Sequence, residues 1–265
     1  MSVLLVGAGR MGSALLKGWL AKGVKSITVV EPKPSAQLRA LAQKKQIALV
    51  AAPSAAKSKP SVCLVAIKPQ VLKGEAGALA GFAQGGALMI SIAAGTSVAA
   101  LSKAWGTKAR IIRAMPNTPG SIGAGITGLY AAKGVTAADR KSATVLLSAL
   151  GATEWVNKET LIDSVTAVSG SGPAYLFLMV EALTAAGIAE GLSKVQAEKF
   201  ARATVAGAGA LLAADKSPAG ALREAVTSPG GTTAAALSVL MADDGLTKLM
   251  KRAVKAARKR AQELR

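Results

Sequence analysis

Residues 223–237 read REAVTSPGGTTAAAL, a Pro-Gly-Gly kink with hydroxyls at Thr227, Ser228, Thr232 and Thr233, placed just before an alanine-rich run in a chain that has no histidine. Pro229 fixes one backbone torsion, and Gly230 and Gly231 reach torsions closed to other residues, so the stretch can fold into a concave array of N–H groups. A helix that starts near Gly231 or Thr232 leaves its first amides free to receive a carboxylate, and Ser228 and one threonine add hydroxyl donors. The same residues suit a Ser/Thr-capped helix after an ordinary Pro-Gly turn, which on motif physics alone is the plainer reading.

A second chemical stretch lies at the start. GAGRMG sets Gly7, Gly9 and Gly12 in G-x-G-x-x-G spacing after the apolar run Val3 to Val6, and residues 11–21 follow with apolar positions at helical spacing. Gly7 permits the tight turn, Gly9 lets the backbone approach a pyrophosphate, and Gly12 lets the helix pack close to the sheet. Arg10 and Met11 lie within the turn. The next strand ends in VVEPKPS, with Glu31 nineteen residues beyond Gly12. A carboxylate there accepts hydrogen bonds from ribose hydroxyls and repels a 2′-phosphate, which favours NADH, while Lys33, Ser35 and Arg10 offer donors to that phosphate, which favours NADPH. Side-chain direction at a strand end turns on a one-residue register, so these residues leave the choice open.

Further elements must position these two stretches. Ile27 to Val30 reads as a second strand, residues 36–45 as a second helix and Val62 to Ile67 as another strand, with LMISIAAG, ARIIRAMP and GITGLYAA as further extended segments. Such alternation predicts a mostly parallel sheet covered on both faces, an α/β Rossmann-type domain over residues 1–155. The pattern changes at GATEWVNKE, residues 151–159. Helical windows follow at about 161–168, 173–190, 193–214, 231–242 and 246–261, punctuated by turn and cap residues. They predict an all-helical domain over residues 156–265. Its alanine-rich helices contribute little apolar area each, so packing against a second subunit is the expected remedy, and a homodimer is predicted.

Composition sets the outer limits. The chain has 265 residues with 51% hydrophobic and 3% aromatic content, which argues for a core of small aliphatics and against disorder. A formal charge of +19 attracts anions of any kind, from phosphorylated cofactors to nucleic acid. The single cysteine, Cys63, lies in SVCLVAI and reads as a reduced core thiol. Ala76 to Ser102 is an uncharged stretch long enough to span a bilayer, but its glycines and SIAAG punctuation read as a helix, a turn and a buried strand. No signal peptide, membrane span or metal site is expected, and the predicted location is the cytoplasm.

Taken together, the residues resemble pyrroline-5-carboxylate reductase, the family that makes proline. The likeness runs through VGAGRMGSALLKGWL at the start, VAIKPQ at 65–70, SIAAG at 91–95, IIRAMPNTP at 111–119, AVSGSGPAYLF at 167–177 and LREAVTSPGGTTAAALSVL at 222–240. The resemblance implies a Rossmann domain followed by a helical dimerisation domain, with dimers sometimes assembled into decamers. It also implies reduction of L-1-pyrroline-5-carboxylate to L-proline with a nicotinamide cofactor, NADPH slightly before NADH. By that resemblance Ser228, Gly230, Gly231, Thr232 and Thr233 hold the substrate carboxylate, and Thr233 lies beside the ring nitrogen as the catalytic candidate. Lys68, Pro69, Met115, Pro116 and Asn117 line the cofactor side together with the glycine turn. Arg10 departs from the asparagine that family members often carry. SGSGPAY, residues 169–175, reads as packing that shapes the site.

A cyclic imine explains how such a site dispenses with histidine. Its nitrogen is protonated before hydride arrives, so no anion develops at the reacting atom, and orientation of two planar groups becomes the main task. Two other readings compete. A dehydrogenase of small β-hydroxyacids shares the glycine turn and the helical second domain. The basic stretch KLMKRAVKAARKR at 248–260 raises nucleic-acid binding, but reads more economically as a terminal helix with one packed and one solvated face, and Trp19, Trp105 and Trp155 are too isolated to form a base-stacking platform. No specific nucleic-acid or membrane partner is expected.

Overall fold

The computed structural model describes residues 1–57 and 59–264. The chain forms two compact units, one comprising Met1–Gly170 together with the end of the last helix from Ala257, the other Ser171–Ala256.

The first unit is built on an eight-stranded sheet. Its strands are β1 (Val3–Val6), β2 (Ile27–Val30), β3 (Ala48–Val50), β4 (Val62–Val65), β5 (Leu88–Ser91), β6 (Ile111–Met115), β7 (Gly125–Ala131) and β8 (Gly151–Trp155). They lie in the order β3-β2-β1-β4-β5-β6-β7-β8, and every neighbouring pair is parallel except β6 and β7. The central strands read VLLV, ITVV and VCLV and are buried along their whole length, as expected of parallel strands covered on both faces. Helices α1 (Arg10–Ala21), α2 (Ala36–Gln43), α3 (Pro69–Glu75), α4 (Ala80–Gln84), α5 (Val98–Trp105) and α6 (Ala137–Leu147) supply that cover. The segment from Ala76 to Ser102 forms helical turns, strand β5 and the start of α5, in keeping with its punctuation.

Two apolar layers result. On one face Leu15, Leu16 and Trp19 of α1 and Ala143, Leu146 and Leu147 of α6 pack with Leu5, Val29, Leu64, Ile90 and Ile112. On the other, Leu72, Leu79, Leu101 and Trp105 pack with Leu4, Val6, Cys63, Val65, Met89 and Ile111. The indole N–H groups are satisfied inside these layers, Trp19 donating to the Leu146 carbonyl at 2.8 Å and Trp105 to that of Ala76 at 3.0 Å. Burial pushes the Cys63 thiol up to about 12, so the sulfur is a core atom without thiolate character at neutral pH.

Two strands escaped the sequence reading. Strand β3 has only three residues, none fully buried, and β8 falls within the segment taken as the change of pattern. The sheet ends at Trp155, and α7 (Leu161–Val165) with a π turn at Thr166–Gly170 completes the first unit.

Beyond it the chain is helical: α8 (Gly172–Ala189), α9 (Lys194–Ala214), α10 (Ala219–Ala225), α11 (Thr232–Leu240) and α12 (Leu246–Glu263). Helix α10 was read as punctuation in the sequence. Ser193 and Gln196 form a capping box at the start of α9. No residue of α8 or α11 is buried, and α9 buries only Ala197 and Ala201. Leu176, Phe177, Leu178 and Phe200 are each more than half exposed. By length and composition the run Leu161–Ala189 could cross a membrane, with a mean hydropathy of 1.4 and none of its most apolar window buried. Helix α12 is amphipathic, with Met250, Ala253, Val254 and Ala257 half-buried, Ala261 buried, and Lys248, Lys251, Arg252, Lys255, Arg258 and Lys259 exposed.

One buried charge makes a test of the first unit. Asp139 accepts hydrogen bonds at one oxygen from the Thr136 N–H at 2.9 Å and its hydroxyl at 2.8 Å, and pairs with Arg110. Burial opposes ionisation, but those hydrogen bonds and the guanidinium outweigh it and hold the carboxyl below its usual range. A depressed folded-state pKa contributes stability above the unfolded value, and this is lost as pH falls through the folded one. Asp139→Asn is therefore expected to destabilise by roughly 1 kcal/mol at pH 7. Urea melts of both proteins from pH 7 to pH 3 should show that deficit shrinking as the parent carboxylate takes up its proton.

Candidate functional site

Strands β1 to β6 apart from their connections all point one way, so the turns after β1, β2, β4, β5 and β6 share one edge of the sheet. Strand order reverses between β1 and β4, the place where an open α/β sheet leaves a crevice for a ligand. Gly7 sits there at φ +89°, a left-handed conformation, with its N–H donating to the Val30 carbonyl at 2.9 Å. A Cβ on Gly12 would lie 2.2 Å from the Gly7 carbonyl oxygen, so this glycine sets how closely α1 approaches the turn. Gly9 differs from both. Its φ of −65° and ψ of −165° are open to any residue, and a Cβ there would meet nothing within 4 Å. The protein itself makes no demand for glycine at that position; what the missing side chain leaves is open surface in front of a helix start.

Helix α1 begins at Arg10, and its N-cap Gly9 has no side chain to satisfy the first amides. The N–H groups of Arg10, Met11 and Gly12 therefore lack acceptors within their own helix. These residues fit the pyrophosphate of a dinucleotide, which would take the amides and fill the space over Gly9. Arg10 is exposed and Met11 half-buried.

Glu31 turns toward this glycine turn. One carboxylate oxygen accepts from the Ala8 N–H at 2.9 Å and the other from the Lys33 N–H at 3.1 Å. Lys33 is exposed, and Ser35 caps α2 by accepting from the Leu38 N–H at 3.3 Å. Lys68 is exposed at the backbone N-cap of α3, with Pro69 opening the helix. Met115 ends β6, Pro116 is buried, and the Asn117 amide is anchored at both ends: its oxygen accepts from the Ile126 N–H at 3.0 Å and its nitrogen donates to the Ser169 hydroxyl at 3.3 Å.

Arg113 and Glu159 were not singled out from the sequence. The Arg113 guanidinium, 4% exposed, donates to Glu159 at 2.6 Å, and the same oxygen accepts from the Val98 N–H at 2.8 Å. This ties β6 to the start of α5 and so closes the turn that follows β5. The available signal was a cation inside the apolar strand ARIIRAMP, since a buried charge needs a partner.

In the second unit, the Gly231 N–H donates to the Ser228 carbonyl at 3.0 Å, and Gly230 has φ +70°. With Pro229 at the second position and a left-handed glycine at the third, the pattern is a type II turn. Gly231 corrects the sequence expectation: its φ of −78° and ψ of 172° are ordinary extended backbone. The missing Cβ leaves room instead for the present Ser228 rotamer, because a Cβ there would come 2.4 Å from the Ser228 hydroxyl oxygen and turn it away. Helix α11 starts at Thr232 without a side-chain cap, so the plain Ser/Thr-capped reading does not hold. The amides of Thr232, Thr233 and Ala234 are left without acceptors in their helix. Ser228 and Thr232 are exposed and Thr233 half-buried. Thr227 stands apart, its hydroxyl donating to the Arg223 carbonyl at 2.6 Å at the end of α10. No Lys or Arg occurs between Arg223 and Lys248, so the turn offers a carboxylate neutral donors only.

Residues 159–264 match the family model for pyrroline-5-carboxylate reductase dimerisation, and residues 2–95 that for coenzyme F420-dependent NADP oxidoreductase. The chain is 39% identical to the pyrroline-5-carboxylate reductase of Pseudomonas aeruginosa, over 99% of this chain and 96% of that protein. It is 40% identical to that of a Synechocystis species, over 98% and 97% respectively. Among solved structures it resembles a pyrroline-5-carboxylate reductase from Coxiella burnetii with a TM-score of 0.91 and 34% identity, covering 99% of this chain and 98% of that one. The NADP-bound pyrroline carboxylate reductase of Plasmodium falciparum gives a TM-score of 0.81 at 25% identity, covering 100% and 98%.

The contrast between two glycines of the turn is testable. Gly9→Val should lose only the modest stability of a poorer N-cap residue, about 1 kcal/mol or less, yet bind reduced dinucleotide at least about tenfold more weakly in a fluorescence titration, since its side chain enters space that only a ligand would fill. Gly12→Ala should instead lower the melting temperature, because its methyl group meets the Gly7 carbonyl. Equal loss of stability in both would remove the argument for an open ligand surface.

Proposed function

Because the chain belongs to the pyrroline-5-carboxylate reductase family, we propose that it reduces L-1-pyrroline-5-carboxylate to L-proline with NAD(P)H, as a homo-oligomer of at least two copies working in the cytoplasm. The observation that carries this reading from the chain's own geometry is the turn Ser228–Gly231 opening onto the uncapped start of α11. It offers amides and hydroxyls to a carboxylate and contributes no cation of its own.

Each unit contributes separately. On the first, the α1 amides with Gly7, Gly9 and Gly12 hold the pyrophosphate, and Lys68, Pro69, Met115 and Pro116 line the same edge. On the second, the amides of Thr232, Thr233 and Ala234 and the Ser228 hydroxyl receive the acid group of the imine. When bound, the reduced nicotinamide supplies the hydride that the iminium carbon accepts as the C=N π electrons become a lone pair on nitrogen. Thr233 then has two tasks that need no proton of its own at the outset. Its N–H helps to fix the carboxylate, and its hydroxyl keeps a hydrogen bond for the ring nitrogen, which ends as a neutral amine and takes a further proton from solvent. Neutral donors suit this site, since a lysine or arginine beside the ring would repel the protonated imine. The β-hydroxyacid alternative has less support, because a carbonyl oxygen gaining charge needs an acid that this turn lacks.

The nearest thing to a cofactor selector is Glu31. Hydrogen bonds from Ala8 and Lys33 pin its carboxylate beside the glycine turn, where its charge opposes a 2′-phosphate. Lys33 and Arg10 are exposed and supply the opposite attraction. We read Glu31 as the residue that lets NADH compete with NADPH. The exposed apolar sides of α8 and α9 support assembly as the remedy for an uncovered helical unit, which also accounts for the apolar run Leu161–Ala189 without a membrane.

Initial rates of imine-dependent oxidation of NADPH and NADH test the whole reading; a purified protein inert with both defeats it. Thr233→Ala should lower kcat/KM for the imine about 10- to 100-fold while changing cofactor affinity less than about twofold. Glu31→Gln, which keeps an acceptor for the Ala8 amide, should raise the NADPH/NADH ratio of kcat/KM by about tenfold. An unchanged ratio assigns selection to other residues.

A further inference from the structure

Helix α7 does not run directly into α8. Between them Thr166–Gly170 forms a π turn, a rare local conformation that concentrates at functional sites. The Ser169 hydroxyl in this turn accepts the hydrogen bond from the Asn117 amide nitrogen, 52 residues earlier, while the Asn117 oxygen accepts from the Ile126 N–H of β7. The orientation of the amide follows from its partners, because only its oxygen can face the Ile126 donor. Two glycines record how tightly the arrangement is packed: a Cβ on Gly125 would lie 2.7 Å from the Asn117 oxygen, and one on Gly170 would lie 2.7 Å from the Met115 methyl carbon.

We propose that Asn117 and Ser169 are positioning residues for the reduction: the pair is a strut that holds the turn after β6 against the π turn and so fixes the surface that Met115 and Pro116 present at the cofactor edge. The inference rests on the reductase reading above and gives Asn117 a different task from the cofactor contact that the family resemblance implies. An amide whose oxygen is pinned on a strand and whose nitrogen is pinned on a helical turn transmits position, not charge. Misplacement of a reacting group by a fraction of an ångström slows hydride transfer strongly, while the affinity of a large dinucleotide, spread over many contacts, changes little.

The test is a double-mutant cycle on the full-length protein with Asn117→Ala, Ser169→Ala and the combination, read as kcat for the imine and as dissociation constant for the reduced dinucleotide. Each single variant should lower kcat about tenfold with the dissociation constant within about twofold, and the double variant should be no slower than the weaker single one, because the second change removes a contact already lost. Ser169→Thr keeps the hydroxyl and should stay within about threefold of the parent rate, which separates the hydrogen bond from general damage to the turn. Losses that multiply to about a hundredfold in the double variant, or a dissociation constant for Asn117→Ala that rises as much as kcat falls, overturn the strut and return Asn117 to a direct ligand role. An inert parent overturns both this inference and the reductase reading, whereas an active parent with multiplying losses overturns the strut alone.

Discussion

Backbone N–H groups at a helix start must find acceptors, and this chain answers that requirement in two ways. Ser35, Ser97, Thr136 and Ser193 each accept a hydrogen bond from their own helix, at the starts of α2, α5, α6 and α9. Helices α3, α8 and α10 also start without a side-chain cap, behind Lys68, Ser171 and Pro218, whereas α1 and α11 begin after a glycine, Gly9 and Gly231, with no side chain available at all. Those two starts lie in the two sequence stretches to which the proposed chemistry is assigned. A serine in place of Gly9 would satisfy the amides from within and close them to a ligand, whereas at Gly231 its Cβ would first have to displace the Ser228 hydroxyl. Leaving them open keeps both sets of amides available to an anionic ligand, which would act as the missing cap and complete the local structure.

The formal charge of +19 is distributed in the same sense. Residues 1–153 hold nineteen Lys and Arg against three Asp and Glu, whereas residues 154–245 hold six against ten. The excess therefore belongs mainly to the dinucleotide-binding half and to the terminal helix. A phosphorylated cofactor gains from that field, while a protonated imine would lose by it. The stretch from 224 to 247, which contains the Ser228–Gly231 turn, has no Lys or Arg at all. A chain without histidine thus separates an anion-attracting half from a turn whose own donors are all neutral.

Much of this was legible in the sequence because it rests on local chemistry. The glycine spacing after an apolar strand gave the first turn, and Ser-Pro-Gly-Gly gave the second, since both depend on torsions and contacts among adjacent residues. Strands β3 and β8 were lost because one is short and neither is fully buried, and α10 because Pro218 and the following glycine read as loop. The direction of Glu31 depended on register, which only the folded sheet decides. Gly231 was right in identity and wrong in cause, as its torsions are ordinary and its lack of a Cβ makes room for Ser228. Bonds such as Arg113 to Glu159 and Asn117 to Ser169 join residues 46 and 52 positions apart, and nothing in one sequence encodes such a distance.

The two units differ in how their stability arises. The first closes its own core, with apolar layers on both sheet faces and its buried indoles hydrogen-bonded. The second cannot, because α8 and α11 bury no residue and α9 buries two alanines. Large side chains such as Leu176, Phe177, Leu178 and Phe200, each about three-fifths exposed, gain roughly 1–2 kcal/mol when fully covered, so a partner copy that covers them contributes an amount comparable to the lower end of a small domain's whole stability. The Ser228–Gly231 turn belongs to this second unit. The surroundings of this turn are therefore completed by association, whereas the glycine turn after β1 sits on a half that closes its own core.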